Sequence, residues 1–193
     1  LLKNNKNDKI WLTLRQELLT CKSFTWAVAF VTQDMLVPFK VVMADLANKN
    51  VSGTLITGDY LGFNDPKVFH ELKKIPNLTV KIAQDNGFHA KGYLFRHGDY
   101  DTIIIGSANF TRAALLSNYE WSLKISSKEN AALTEQISKQ LLQLENGSFS
   151  LTDAWLDNYE RNWVRPVTNT VTKKNISQEI IPNQMQKAAL KEL

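Results

Sequence analysis

The chain has 193 residues, 44% hydrophobic and 22% charged, which predicts one globular domain and excludes a disordered chain. Its apolar runs are too short to cross a bilayer and its first residues lack the apolar core of a signal peptide, so we expect no membrane contact. The single cysteine, Cys21, excludes an internal disulfide and favours a reducing cytoplasm. The net charge of +4 and the isoelectric point of about 9.1 favour contact with phosphate backbones.

Helical and strand patterns alternate over the first half of the chain. Apolar residues at intervals of three and four predict helices, and short aromatic or β-branched runs predict buried strands. The predicted elements are a helix over 8–20, a strand over 24–31, a helix over 35–48, a strand over 53–57, a helix over 66–74 and a strand over 78–83. This alternation predicts an α/β fold with a mixed, largely parallel sheet flanked by helices.

The pattern changes in the middle of the chain. Strands over 91–96 and 102–105 are separated by His-Gly-Asp-Tyr, a link typical of a hairpin. A short helix is predicted to begin near Ser107. A strand over 119–125 and an amphipathic helix over 129–144 follow.

Three aromatic residues near the end recur every four positions. Trp155, Tyr159 and Trp163 should therefore lie along one face of a C-terminal helix. This face could pack onto the domain or a second subunit, or it could stack nucleobases. The polar, poorly periodic segment 165–181 is interpreted as a linker.

His89 and Lys91 stand two residues apart at the start of a predicted strand, so both side chains should point to the same face. An imidazole titrates near neutrality and can act as a nucleophile or an acid-base group, and an ammonium can hold a phosphate oxygen. The alternative is a surface histidine beside a solvated lysine.

More polar residues follow in the same stretch. Ser107 and Asn109 lie in a Gly-Ser-Ala-Asn segment predicted to open a helix, where backbone N–H groups bind anions, although either side chain could simply cap the helix. Glu120 lies on a predicted apolar strand and needs a partner. It could pair with Arg112 or orient the imidazole of His89.

In this order, these residues resemble the signature of the phospholipase D superfamily, which is His-x-Lys, a downstream Asp and then Gly-Ser-x-Asn. His89, Lys91, Ser107 and Asn109 match it, and Glu120 stands where nuclease members carry the acid that orients their histidine. The residue five positions after the lysine is an arginine here instead of the usual, mainly structural Asp. The nearby acids of the hairpin, at positions 99 and 101, are at the wrong spacing.

The resemblance covers roughly residues 8–145 and is closest to the single-motif nuclease branch, which includes metal-independent restriction endonucleases. It implies a phospholipase D-like sandwich fold and a metal-independent phosphodiesterase without cofactor, a DNA endonuclease more readily than an RNA one. It also implies a homodimer that forms a phosphohistidine, because the mechanism needs two His-x-Lys motifs and the chain has one. The implied catalytic residues are His89, Lys91, Asn109 and Glu120, and Lys91, Ser107 and Asn109 would bind phosphate.

The last residues resemble a second family. The stretch 181–190, with Gln186 in register, is similar to the adenine-reading motif of superfamily 2 helicases, although it could be a plain amphipathic helix. We therefore expect a nuclease-like domain over 1–163, and over 164–193 a linker and the start of a truncated helicase domain present in cis in a longer bacterial DEAD/DEAH-type protein. One alternative is a catalytically inactive nucleic-acid-binding or dimerisation module of that helicase. Another is a lipid phosphodiesterase or phosphatidyl transferase.

Overall fold

The computed structural model describes residues 1–85, 87–129 and 131–166. The helices are α1 (Ile10–Thr20), α2 (Gln33–Ala47), α3 (Pro66–Lys73), α4 (Arg112–Leu116), α5 (Ala132–Asn146) and α6 (Asp153–Asn162). The strands are β1 (Ser23–Val28), β2 (Ser52–Thr57), β3 (Leu78–Ala83), β4 (Lys91–Arg96), β5 (Tyr100–Gly106), β6 (Ser122–Lys128) and β7 (Ser148–Ser150). A short 3-10 turn, Tyr60–Gly62, lies between β2 and α3.

The strands form a seven-stranded sheet in the order β6-β5-β4-β1-β2-β3-β7. Strands β1, β2 and β3 pair in parallel, and the other neighbours pair antiparallel. The predicted α/β class with a mixed sheet is therefore confirmed, but the sheet is less parallel than predicted. Parallel pairing requires a long crossover connection, whereas the short link between β4 and β5 allows only antiparallel neighbours.

The main hydrophobic core lies between one face of the sheet and helices α1, α2 and α4. Trp26 of β1 is fully buried at its centre, with ring centroids 5.3 Å from Phe39, 5.1 Å from Tyr93 and 5.2 Å from Phe110. On the opposite face, α5 covers a smaller apolar cluster. Phe110 belongs to the core, so the segment that follows β5 is held firmly against the sheet.

The prediction of a helix beginning near Ser107 is wrong. Helix α4 begins five residues later, at Arg112, and its cap is Thr111, whose hydroxyl accepts a hydrogen bond from the Ala114 N–H at 3.2 Å. The intervening residues instead continue alongside the end of β1, where Val31 and Phe110 form a parallel bridge. This local pairing satisfies backbone groups that a helix would otherwise use.

The predicted aromatic face of the C-terminal helix packs on the domain. Trp155 and Tyr159 of α6 lie edge-on to Phe69 of α3, at 5.2 and 5.3 Å between ring centroids. Trp163 follows the helix, and its indole N–H donates to the Gly62 carbonyl at 2.7 Å. The helicase-like stretch and nearly all of the proposed linker lie outside the described residues. Among the helices of the described part, none is long and apolar enough to cross a membrane.

Candidate active site

The candidate site lies at one end of the sheet, where the carboxyl ends of β1 and β5 meet the amino ends of β4 and β6. The register pairs Lys91 with Val28 of β1, and Gly106 with Ser122 of β6. Antiparallel pairing therefore brings residues that are 15 or more positions apart in sequence to the same end of the sheet. All five residues predicted from the sequence lie here.

His89 and Lys91 contact each other directly. The Lys91 ammonium lies 2.6 Å from His89 Nδ1 and donates to the His89 carbonyl oxygen at 2.8 Å. His89 is exposed just before β4, and Lys91 is half-buried as the first residue of that strand. Phe30 forms a wall beside both, with its ring centroid 5.4 Å from the imidazole and 5.9 Å from the ammonium.

The environment of Lys91 changes its titration. Partial burial lowers the pKa of the ammonium below its ordinary value, and the nearby charge of Glu120 partly restores it. Removal of the ammonium from water disfavours its charged form, while a carboxylate favours it. Lys91 is therefore partly desolvated and lies near a carboxylate that favours its charged form, which suits the binding of an anion.

The Gly-Ser-Ala-Asn segment forms a tight turn that the rest of the fold holds in place. A Cβ at Gly106 would overlap the Trp121 carbonyl oxygen, so only glycine fits there. The buried Tyr93 hydroxyl donates to the Ala108 carbonyl at 2.9 Å. Asn109 accepts from the Phe30 N–H at 3.3 Å through its side-chain oxygen, which leaves its amide NH2 with no hydrogen bond to a described residue.

Glu120 accepts a hydrogen bond from the Ser107 hydroxyl, and that hydroxyl in turn accepts one from the Trp121 N–H at 3.1 Å. Glu120 lies in the loop before β6 rather than on a strand as predicted. Neither His89 nor Arg112 is its hydrogen-bond or salt-bridge partner within the described part of the chain. Its influence on Lys91 and Tyr93 is electrostatic.

Several residues that position the site were not predicted from the sequence. Asn64, 1% exposed, accepts from the Val31 N–H at 2.8 Å and donates to the Ala29 carbonyl at 2.9 Å. It thereby fixes the loop that carries Phe30. Tyr93 supports the Gly-Ser-Ala-Asn turn in the same way. The signal available in the sequence was the position of Phe30 at the carboxyl end of a buried strand, where open α/β sheets bind ligands.

Arg96, where the superfamily signature has Asp, lies at the far end of β4 from His89. It faces Asp101 of β5 in the hairpin register, and the two side chains form an ion pair at 2.8 Å. Arg96 also donates to Ser138 of α5 at 2.7 Å. The change at this position therefore affects the packing of α5 on the hairpin and does not alter the contacts of His89 or Lys91.

Similarity to known proteins is consistent with this architecture. A family model described as "Cardiolipin synthase, PLD-like domain" matches residues 14–144. NucT from Helicobacter pylori and the phospholipase D family member Nuc from Salmonella typhimurium are each 18% identical, with TM-scores of 0.57 and 0.55. Each alignment covers 74% of this chain and 91% of the other.

A third structure, phosphatidylserine synthase from Haemophilus influenzae Rd KW20, is 16% identical with a TM-score of 0.61, over 78% of this chain and 39% of the synthase. No curated protein matches the sequence significantly. At these identities the structural neighbours show a shared fold, while the family model covers most of the sheet and all five residues of the candidate site. The chain belongs to the phospholipase D superfamily through its phospholipase D-like domain.

Proposed function

We propose that this protein is a metal-independent phosphodiesterase, a DNA endonuclease that acts as a homodimer. The observation that carries the proposal is the meeting of His89, Lys91 and Asn109 at one end of the sheet, where the Asn109 amide NH2 makes no hydrogen bond to a described residue. These groups supply a nucleophile, a cation and a neutral donor for one phosphate group. The basic net charge suits a polyanionic substrate.

The attacking atom would be Nε2 of His89. The Lys91 ammonium lies 2.6 Å from Nδ1 and, as a donor to it, would favour the tautomer with the proton on Nε2, which has no free electron pair there. An arriving phosphate draws Lys91 to its oxygens and frees Nδ1. The proton then moves from Nε2 to Nδ1 by exchange with water. Glu120, already near Lys91, accepts a hydrogen bond from the Nδ1–H, and the electron pair of Nε2 is free to attack.

One chain supplies only one of the two histidines that the acid-base mechanism needs. The other two histidines are engaged elsewhere: His70 of α3 lies 3.1 Å from Glu160, and His97 is buried 3.0 Å from Glu17. A second copy related by two-fold symmetry would supply the missing histidine. This site is next to an exposed apolar surface at the start of the edge strand β6, where Leu123 and the preceding Trp121 are 51% and 57% exposed.

In the dimer, Nε2 of one His89 forms a bond to phosphorus while the bond to the leaving oxygen breaks, and the partner subunit's His89 donates a proton to that oxygen. The same partner imidazole then takes a proton from water. The water oxygen attacks phosphorus and the phosphorus–nitrogen bond breaks, which restores both imidazoles. Lys91, Asn109 and Ser107 hold the non-bridging oxygens throughout.

The residues after position 163 are proposed to lead into a helicase domain in cis. The phosphodiesterase domain would then cleave nucleic acid that is bound by the helicase domain of the same chain. This proposal rests on the resemblance of the last residues to the adenine-reading motif. The single cysteine is buried, with a thiol pKa raised to about 12, and the compartment we propose is the cytoplasm.

A second candidate is a phospholipid phosphodiesterase. An apolar groove of about 790 Å3 runs between α5 and the face of β4 and β5, and it reaches His89. Leu94, Ile103 and Leu141 line it. Such a groove could accept an acyl chain while the phosphate lies at Lys91, so the experiment includes a lipid arm.

The test is cleavage of labelled oligonucleotides and of phospholipid vesicles by wild type, His89→Ala and the surface control His70→Ala. We expect wild type and His70→Ala to cut the oligonucleotides with or without a chelator, and His89→Ala to be inactive. Loss of cleavage with a chelator would contradict the metal-independent route. Cleavage of lipid alone would favour the second candidate, and binding without cleavage would favour the inactive module.

Mixing tests the shared site. When wild type and His89→Ala subunits exchange freely in equal amounts, about a quarter of the dimers carry two intact histidines. The activity should therefore be about a quarter of that of pure wild type at the same total protein concentration. Independent sites would give about half. Leu123→Glu should yield an inactive monomer, seen by analytical ultracentrifugation.

A further inference from the structure

A row of aromatic rings leads away from the candidate catalytic histidine. The Phe30 ring lies 5.4 Å from the imidazole of His89 and 5.0 Å from the ring of Phe63. Phe30 is half-buried, whereas Phe63 is 45% exposed. An exposed ring is thus connected to the candidate nucleophile through a single intervening side chain.

The loop that presents Phe63 is held in a defined shape. Leu61 and Gly62 both have positive φ, 54° and 66°, an arrangement that is unfavourable for leucine and needs support from the surrounding structure. Two hydrogen bonds give that support: Trp163 donates to the Gly62 carbonyl at 2.7 Å, and Tyr159 donates to the Asn64 carbonyl at 2.8 Å. The ring is therefore presented by a fixed loop.

The loop's charge distinguishes between the parts of a nucleotide. Residues 59–65 read Asp-Tyr-Leu-Gly-Phe-Asn-Asp, with two acids and no base. Asp65 pairs with Arg165 at 3.8 Å, whereas Asp59 has no salt bridge to a described residue. Acidic groups repel a phosphate, whereas a flat exposed aromatic ring stacks with the uncharged face of a nucleobase. These charges favour an arrangement in which the phosphate of a nucleotide binds at Lys91 and its base stacks on Phe63.

We propose that Phe63, with Phe30 behind it, is a stacking site for an unpaired nucleobase next to the scissile phosphate. A base in a duplex is already stacked and paired, so only single-stranded or flipped-out nucleotides could use the site. The inference rests on the proposed function and extends it, because it selects the strand state of the nucleic acid that the site accepts.

Binding measurements test this separately from catalysis. In a His89→Asn background, which cannot turn over the substrate, the affinity for a fluorescent single-stranded oligonucleotide is compared with that for the same strand bearing abasic sites. Phe63→Ala should weaken binding of the intact strand about 10-fold and leave the abasic strand unchanged, since each stacked base contributes that order of affinity. Phe63→Tyr should retain binding.

Val41→Ala is the matched control, because Val41 is a 63% exposed apolar residue of α2 outside the site. Equal binding of the intact strand by the Phe63→Ala variant and its parent would overturn the stacking site, as would an equal loss for intact and abasic strands or no binding at all. If wild type cuts no nucleic acid but the Phe63 effect is present, the stacking site stands and the catalytic proposal fails.

Discussion

Replacement of Tyr93 by phenylalanine tests how the fold supports the candidate site. Tyr93 is 1% exposed, and its hydroxyl donates at 2.9 Å to the carbonyl of the buried Ala108. Loss of one such hydrogen bond costs about 1.5 kcal/mol, which lowers the melting temperature of a chain this size by about 4 °C. Ala108 lies between Ser107 and Asn109, so the turn should loosen and kcat should fall about 10-fold.

The assay combines thermal unfolding with steady-state cleavage of a simple phosphodiester by folded protein. Tyr100→Phe is the control, because Tyr100 is 40% exposed at the other end of the hairpin and stacks on His97 through its ring. This control should change neither quantity. An unchanged melting temperature for Tyr93→Phe, or a lower one with unchanged kcat, would refute the view that this hydroxyl positions the turn.

Three further outcomes are expected. Glu120→Gln removes the charge that raises the pKa of Lys91, so the alkaline limb of the pH–rate profile should move to lower pH. Burial raises the pKa of Glu17, but hydrogen bonds and charges from its partners leave the pKa below its ordinary value. The ionised Glu17 therefore stabilises the fold above that ordinary value and less so as pH falls, and Glu17→Gln should lower the melting temperature more at about pH 7 than at about pH 3. Arg96→Ala leaves the carboxylate of Asp101, 1% exposed, without its partner and should cost about 2 kcal/mol of unfolding free energy while kcat of the folded fraction persists. Thermal unfolding at several pH values and pH–rate profiles measure all three, and full activity loss in Arg96→Ala would contradict its structural role.

Six of the seven strands and most helices could be predicted because local patterns determine them. The three-residue strand β7 was not predicted, because it is defined by its pairing with β3. The hairpin of β4 and β5 follows from two β-rich runs around a polar Gly-containing link. The error after β5 has a tertiary cause: Ser107 and its neighbours look like a helix start, but Phe110 is drawn into the core against Trp26 and delays the helix to Arg112. No local pattern encodes that contact.

The candidate site divides in the same way. The types and order of His89, Lys91, Ser107, Asn109 and Glu120 can be read directly from the chain, and they suffice to indicate phosphate chemistry. Which of them touch one another could not be predicted, because antiparallel register and burial decide it.

The sequence by itself therefore determined the chemistry available to this protein, because residue types and their spacing are local properties. Only the tertiary structure decided the geometry. Lys91 rather than Glu120 contacts Nδ1 of His89, and Glu120 accepts a hydrogen bond from the Ser107 hydroxyl. The tertiary structure also brought Phe30 and Phe63 to the candidate nucleophile. Those contacts join residues from separate strands and loops, and sheet pairing and core packing create them.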